Sequence, residues 1–218
     1  MGNCKELGKR WASEAKKTAK SLANLNYLAF SASGINFLSR PLNQSQKKDP
    51  QLKGLLNDLE ALNMIKTHDD KISFMNAENK FFCNGGWLEE YVFGTVRELK
   101  SELKTIQDDA HSAVLQRQIT GKDVVKNEID VVALVNNKLH IIECKTKRFE
   151  KGEGVNTLYK IDSVNDVVGG MRGRAGLVSY FPLTTGEQLR AKELNIKVFG
   201  PNELKNLKHH LRVWLSQA

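Results

Sequence analysis

The stretch Ile141–Thr146, IIECKT, places a carboxylate and an ammonium group two residues apart at the end of an apolar run. Residues two apart on a β-strand point to the same face of the sheet. Glu143 and Lys145 therefore project together, while Ile142 and Cys144 project into the opposite layer. This pattern indicates either an ion pair at a strand end or a metal site.

A second acidic residue is expected beside this pair. In the preceding segment NEID, Glu128 and Asp130 share one face of a predicted strand by the same two-residue rule. The dipeptide Asn136-Asn137 predicts a tight turn that folds the next strand back along it. The hairpin then brings Asp130 close to Glu143 at one end of the sheet.

Two neighbouring carboxylates repel each other, and a divalent cation removes that cost. Their hard oxygen ligands favour Mg²⁺ or Mn²⁺, and such an ion can polarise a phosphodiester and lower the pKa of a bound water. Lys145 is the candidate to position the attacking water or to stabilise charge that grows on the phosphate. The structural alternative is an exposed ion pair that contributes little to stability.

Hydrophobic periodicity predicts an α/β fold, a mixed sheet flanked by helices, preceded by a small winged-helix-like segment. A helix is expected over Cys4–Phe30, a loop over Arg40–Pro50, and a helix starting at Asp49-Pro50 followed by a hairpin that turns at His68–Lys71. Strands are expected at Ala113–Ile119, Glu128–Val135, Lys138–Cys144, Ala175–Tyr180 and Ile196–Phe199, and helices near Val155–Val168, Gly186–Leu194 and from Asn202.

These elements divide the chain into an N-terminal helix and linker (residues 1–40), the winged-helix-like segment (41–80) and an α/β domain that contains Asp130, Glu143 and Lys145 (81–218). Winged-helix units bind DNA, but they also serve as spacers and dimer surfaces. Both alternatives remain open for this segment.

Composition restricts the possible partners and location. The net charge of +8 favours an anionic partner, with nucleic acid as the first candidate and a basic surface without a ligand as the alternative. The three cysteines are far apart and form no Cys-x-x-Cys pair, which fits the cytoplasm. No apolar run is long enough to cross a membrane.

Together these residues resemble the PD-(D/E)XK nucleases, and more narrowly one of their families. The segments FFCNGGWLEEYV, NEIDVV, LHIIECKT and GGMRGRAG, with Leu158-Tyr159-Lys160, are similar to the C-terminal nuclease of the CARF-linked ancillary effectors of type III CRISPR systems. The resemblance is strong over Phe81–Phe199, weaker over Pro50–Phe74 and absent before that. It implies a homodimer that cuts DNA or RNA in antiviral defence with Mg²⁺ or Mn²⁺.

The resemblance also implies further site residues. Glu89 would be an extra metal ligand or a group that positions water, with a solvated helix position as its alternative. The backbone carbonyl of Cys144 would be a metal ligand. Lys160 would contact the metal site or the scissile phosphate, unless it is a surface lysine.

A separate argument applies to the glycine-rich stretch after the predicted helix. The glycines of GGMRGRAG allow close backbone approach, so Arg172 and Arg174 are candidates for binding a phosphate. The alternative for this stretch is a loop that ends the helix.

The family's cyclic-oligoadenylate sensor has no counterpart in these residues, so we expect either a fragment or a relative without the sensor. Cyclic oligoadenylate would act only through such a domain. Two other functions are possible: a nucleic-acid-binding module without catalysis on a nuclease scaffold, or a subunit that dimerises for a separate sensor.

Overall fold

The computed structural model describes residues 2–120 and 123–217 and divides the chain into two compact units, residues 1–88 and 89–218. The helices are α1 (Gly2–Ser13), α2 (Ala15–Ser31), α3 (Gln44–Lys47), α4 (Pro50–Ala61), α5 (Ala77–Phe81), α6 (Trp87–Glu102), α7 (Glu153–Gly169), α8 (Thr185–Glu193) and α9 (Leu207–Ser216). The strands are β1 (Ile65–His68), β2 (Lys71–Phe74), β3 (Ile106–Thr120), β4 (Asp123–Val135), β5 (Lys138–Lys145), β6 (Arg174–Ser179) and β7 (Lys197–Phe199).

The first unit begins with two helices where the sequence predicted one. The chain breaks at Glu14, whose φ of −103° and ψ of 14° fall outside the helical range, so α1 ends at Ser13 and α2 begins at Ala15. The prediction of one helix was wrong because the apolar stripe continues through the break. In the core of this unit, Trp11 packs edge-on against Trp87 with ring centroids 5.5 Å apart.

The helix start at Asp49-Pro50 is confirmed. The Asp49 carboxylate accepts hydrogen bonds from the backbone N–H groups of Gln51 and Leu52, and Pro50 occupies the first helical position. The antiparallel hairpin of β1 and β2 follows, with His68 paired to Lys71 as the turn predicted. The predicted loop before α4 contains the short helix α3, which is closed by a capping box between Asn43 and Gln46.

The second unit is built on a five-stranded mixed sheet in the order β3-β4-β5-β6-β7. The pairs β3–β4 and β4–β5 are antiparallel, whereas β5–β6 and β6–β7 are parallel. This confirms the predicted α/β class with a mixed sheet flanked by helices. The strand β3 starts seven residues earlier than predicted, at Ile106 rather than Ala113.

Helices cover both faces of this sheet. On one face, α7 and α8 pack against the strands through a core cluster that includes Ile141, Leu158, Leu177 and Ala191. On the other face, Trp214 of α9 packs against strand residues, and α9 is tied to α6 by ion pairs from Lys208 and Arg212 to Glu102. The strand β5 is therefore buried between two helical layers.

Candidate active site

The β4–β5 hairpin sets the position of the two acids. Asn136 and Asn137 both have positive φ, 48° and 58°, as a tight two-residue turn of this kind requires. The register runs from Val135 opposite Lys138 to Val131 opposite Ile142. The next residues along the two strands are Asp130 and Glu143, so the hairpin brings the two acids together as the sequence predicted.

The Asp130 carboxylate is fixed against the neighbouring strand. Its Oδ2 atom accepts a hydrogen bond of 2.7 Å from the backbone N–H of Cys144. Burial, and next the negative charge of Glu143, raise the pKa of Asp130 to about 6, although the hydrogen bond from Cys144 and the lysines lower it. The two carboxylates therefore repel each other in a partly dehydrated position.

Two lysines converge on Glu143, which is only 6% exposed. The Nζ atom of Lys145 lies 2.5 Å from Glu143 Oε1, and the Nζ atom of Lys160 lies 3.5 Å from the same oxygen. Burial by itself would lower the pKa of Lys145, but the charge and the hydrogen bond of Glu143 raise it, so this ammonium group remains charged. Lys160 reaches the acid from α7, the helix that packs on this face of the sheet.

Glu89 approaches the acids from the first turn of α6. Burial, and next the charge of Asp130, raise the pKa of Glu89 to about 8, and Lys145 partly opposes this shift. Glu89 has 17% of its side chain exposed and its neighbour Glu90 has 50%, as expected if only one of the two faces the site. Glu89 therefore belongs to the electrostatic environment of the acid pair.

One residue of this environment was not predicted from the sequence. His111 of β3 lies between the two glutamates, with its ring nitrogens 3.9 Å from Glu89 and 4.0 Å from Glu90. The imidazole stacks on Phe93 with ring centroids 5.0 Å apart. The sequence could not reveal this contact, because the spacing of histidines along the chain does not indicate that β3 and α6 meet. Periodicity also does not indicate the irregular backbone next to His111, where Ser112 has a φ of 49°.

Cys144 takes no part through its side chain. It is buried, and its pKa is raised well above the usual value by burial and next by the charge of Asp130, so the thiol stays protonated. Because side chains alternate along β5, the Cys144 side chain lies on the face opposite Glu143 and Lys145. The role of its backbone carbonyl as a metal ligand stays a prediction.

Arg172 and Arg174 are not brought to the acids. Because β6 runs parallel to β5, Arg174 pairs with His140 at the start of the strand, whereas Lys145 pairs with Ser179 at its end. The Arg174 guanidinium donates a hydrogen bond of 2.8 Å to the backbone carbonyl of Gln217. Arg172 is exposed in the 3₁₀ turn before β6. The predicted phosphate contacts of these two arginines therefore find no support from the geometry of the site.

The donor chemistry fits a divalent cation. Asp130, Glu143 and Glu89 offer carboxylate oxygens, the ligands that hard cations prefer. The charge of Glu143 helps to raise the pKa of Asp130, and the charge of Asp130 helps to raise the pKa of Glu89, so a cation among them would relieve this repulsion. Within residues 2–120 and 123–217, no three His, Cys, Asp or Glu side chains already stand at the distances of a metal cage. The ammonium groups of Lys145 and Lys160 instead neutralise Glu143.

The mixed sheet, with an acid and a lysine at the end of the buried central strand β5 and a second acid on the neighbouring strand β4, has the architecture of a restriction-endonuclease-like fold. The chain belongs to the Card1-like endonuclease domain family, whose sequence profile matches residues 76–218. The family resemblance found in the sequence is thereby confirmed. Comparison with curated proteins found no match.

Two solved structures are similar to the whole chain. Protein VC1899 from Vibrio cholerae is 41% identical with a TM-score of 0.91, and the match covers 99% of this chain and 56% of that protein. Can2 from Sulfobacillus thermosulfidooxidans, solved in complex with cyclic tetra-adenylate, is 30% identical with a TM-score of 0.78, and the match covers 99% and 57%.

These matches correct the expected extent of the resemblance and show how much of each relative this chain covers. The similarity extends over the residues before Pro50, where the sequence had shown no resemblance. The chain spans somewhat more than half of the length of each of these relatives.

Among the helices of the described residues, none is long and apolar enough to span a membrane.

Proposed function

We propose that this chain is a metal-dependent endonuclease that hydrolyses phosphodiester bonds of DNA or RNA. The observation that supports it most directly is the juxtaposition of Asp130 and Glu143 with two lysines on Glu143. Membership of an endonuclease domain family supports the same reaction.

Asp130, Glu143 and Glu89 would hold Mg²⁺ or Mn²⁺, with the Cys144 carbonyl as a further ligand. When bound, the ion would supply polarisation of the phosphodiester and a lower pKa for a bound water. The raised pKa values of Asp130 and Glu89 support this assignment, since a nearby cation would stabilise both ionised carboxylates. Asp130 is already oriented by the Cys144 N–H.

The two lysines would act on the substrate. Lys145 is half-buried and charged beside Glu143, so it would orient the attacking water or stabilise the charge that develops on the scissile phosphate. Lys160 is 49% exposed at its side chain and can turn from Glu143 toward a phosphate oxygen. Both ammonium groups are expected to leave Glu143 in part when a cation binds there.

The biological setting is also a proposal. A role in antiviral defence and a homodimeric state are proposed from the family resemblance of the sequence, and control by cyclic oligoadenylate from similarity to Can2, which was solved in complex with cyclic tetra-adenylate. Cyclic oligoadenylate would act through a domain other than the residues of this chain.

The proposal is tested by incubating the protein with supercoiled plasmid, linear duplex and single-stranded DNA or RNA, with Mn²⁺, with Mg²⁺ and with EDTA. We expect cleavage that requires a divalent cation and is lost in Glu143→Ala. Cleavage that survives this substitution would place the chemistry elsewhere. Binding with a steep salt dependence but without cleavage of any substrate would instead support the non-catalytic nucleic-acid-binding module.

A further inference from the structure

A basic groove extends from the two lysines of the site. Its volume is about 460 Å³, and its walls are the segment after β5 and the first turns of α7. Its lining residues within the described part of the chain include Lys145, Lys147, Arg148, Glu153, Asn156 and Lys160. Four of these residues are basic and one is acidic, so the groove carries a positive potential that continues from Lys145 and Lys160.

Two of the basic residues that line this groove are Lys147 and Arg148. Both side chains are exposed, directly after the strand that carries Glu143 and Lys145. The Arg148 guanidinium lies over the ring of Phe181, 5.4 Å from its centroid, and this contact restricts where the side chain can point. Arg148 is therefore partly preorganised, which lowers the entropy cost of binding a ligand.

The acidic residue of the groove is engaged elsewhere. The Oε2 atom of Glu153 accepts a hydrogen bond of 2.9 Å from the backbone N–H of Glu150 and so closes the segment before α7. On α7, Asn156 and Lys160 are four residues apart and share one helix face, which lines the groove with a polar amide and an ammonium group. This wall offers donors to an anion along the length of the groove.

We propose that this groove binds the sugar–phosphate backbone of the substrate strand beside the bond that is cut, with Lys147 and Arg148 each contacting a phosphate. The assignment rests on the proposed function for the position of the scissile bond. It moves the phosphate-binding role from Arg172 and Arg174, at the opposite end of β5, to the segment that leaves the active site.

The test compares two variants that lose the same charge: Lys147→Gln/Arg148→Gln in the groove and Arg172→Gln/Arg174→Gln at the opposite end of β5. Fluorescence anisotropy measures the binding of a labelled oligonucleotide in EDTA over a salt series. We expect the groove variant to bind about 10-fold more weakly, with a slope of log Kd against log salt smaller by about 1.5, because two phosphate contacts are lost. The control variant should stay within about 2-fold of wild type.

Kinetics distinguish this proposal from the proposed function. With Mn²⁺, the groove variant should have a higher KM than wild type and an unchanged kcat. The variant Lys147→Gln/Arg148→Lys should have a KM between the two, because it retains the charge at position 148. Equal binding by both charge-matched variants, or no binding by wild type, would overturn the groove assignment. If wild type binds through the groove but cleaves nothing, the groove stands and the nuclease proposal fails.

Discussion

Two buried polar side chains on β5 differ in their surroundings, although they are three residues apart. Glu143 is 6% exposed, is contacted by Lys145 and Lys160, and lies beside Asp130. His140 is fully buried, its Nδ1 lies 3.2 Å from the Lys138 carbonyl oxygen, and Trp214 packs edge-on against it at 5.0 Å. Glu143 has charged neighbours next to a groove, whereas His140 is covered by an indole.

The same physical cause acts on Asp130, which faces Glu143 from β4, and on His140, with different consequences. Burial raises the pKa of Asp130 to about 6 and lowers the pKa of His140 to about 4, so the neutral form is favoured in each case. A cation would offset this cost at the acids, because the charges of Asp130, Glu143 and Glu89 repel one another. At His140, the positive charges of Arg174 and Lys138 lower the pKa further. Burial of a polar group on this sheet therefore indicates a functional site at Glu143, which has charged neighbours, and not at His140, which is covered by Trp214.

The largest expected effect on activity comes from Asp130→Asn. The amide oxygen can still accept the Cys144 N–H, so the fold is retained, but the negative charge is lost. We expect cleavage to fall by about 1000-fold, since electrostatic stabilisation of the reaction depends on that charge. Rates under single-turnover conditions measure it, with His140→Phe as the matched change on β5. Equal losses of activity in the two variants would contradict the difference in function proposed between Asp130 and His140.

The two lysines should differ in their effects. Lys145→Met is expected to reduce kcat by about 100-fold and Lys160→Met by about 10-fold, because Lys145 is closer to Glu143 and less exposed. Steady-state rates with Mn²⁺ provide the comparison, and melting curves exclude loss of fold as the cause. A larger effect at Lys160 would indicate that the lysine of α7, rather than Lys145 of β5, contributes more to the reaction.

Cation binding should depend on pH through the acids. The folded-state pKa of Glu89 is raised to about 8, and that of Asp130 to about 6, so the stability from these neutral carboxyls is present at low pH and is lost as pH rises through those values. A cation would offset this loss, and it requires ionised ligands. We expect Mn²⁺ to raise Tm more at about pH 8 than at about pH 5.

Differential scanning calorimetry with and without Mn²⁺ measures this difference, and Glu89→Gln serves as the control. That variant removes one of the titrating carboxyls and should reduce the pH dependence of the shift. A Tm increase that is equal at both pH values in wild type would argue against these acids as the binding groups.

The smallest effect on activity is expected from His140→Phe, whose activity should stay within about 2-fold of wild type. The same substitution should change the dependence of the free energy of unfolding on acid pH. Above about pH 6.5, the pKa of histidine in the unfolded chain, His140 is neutral in both the folded and the unfolded states. Between there and about pH 4, the unfolded chain binds a proton that folded His140 does not, and stability falls. The loss amounts to about 3 kcal/mol at pH 4.

Urea unfolding at a series of pH values measures this loss. His140→Phe keeps an aromatic contact with Trp214 and should remove most of the acid-dependent step. If the step persists in the variant, other groups are responsible for the acid sensitivity.

The sequence was sufficient for the features that depend on local periodicity. The two-residue alternation of β5 and the Asn136-Asn137 turn predicted the acid pair and the face of Lys145, and the structure has both. The contact of Lys160 with Glu143 was one of two alternatives, because the direction in which a helix faces depends on packing that periodicity alone does not specify.

The remainder depended on how strands pair. A predicted strand beginning near Ala175 carries no information on whether it runs parallel or antiparallel to β5, and that choice decides which end of the sheet receives Arg174. The basic residues Lys147 and Arg148 were present as a visible signal, a cationic run directly after the strand that carries Glu143, but their approach to α7 became apparent only from the structure.

The two-residue turn at Asn136-Asn137 has a consequence for how this enzyme tolerates insertions. Side chains alternate between faces, so one extra residue in the turn would shift β5 by one position against β4 and present His140, Ile142 and Cys144 where the acid and amine now lie. Such an insertion would lie in a solvent-facing turn at the other end of the hairpin from the acids, and yet it would remove Glu143 and Lys145 from the proposed site. The length of this loop is in effect a catalytic parameter.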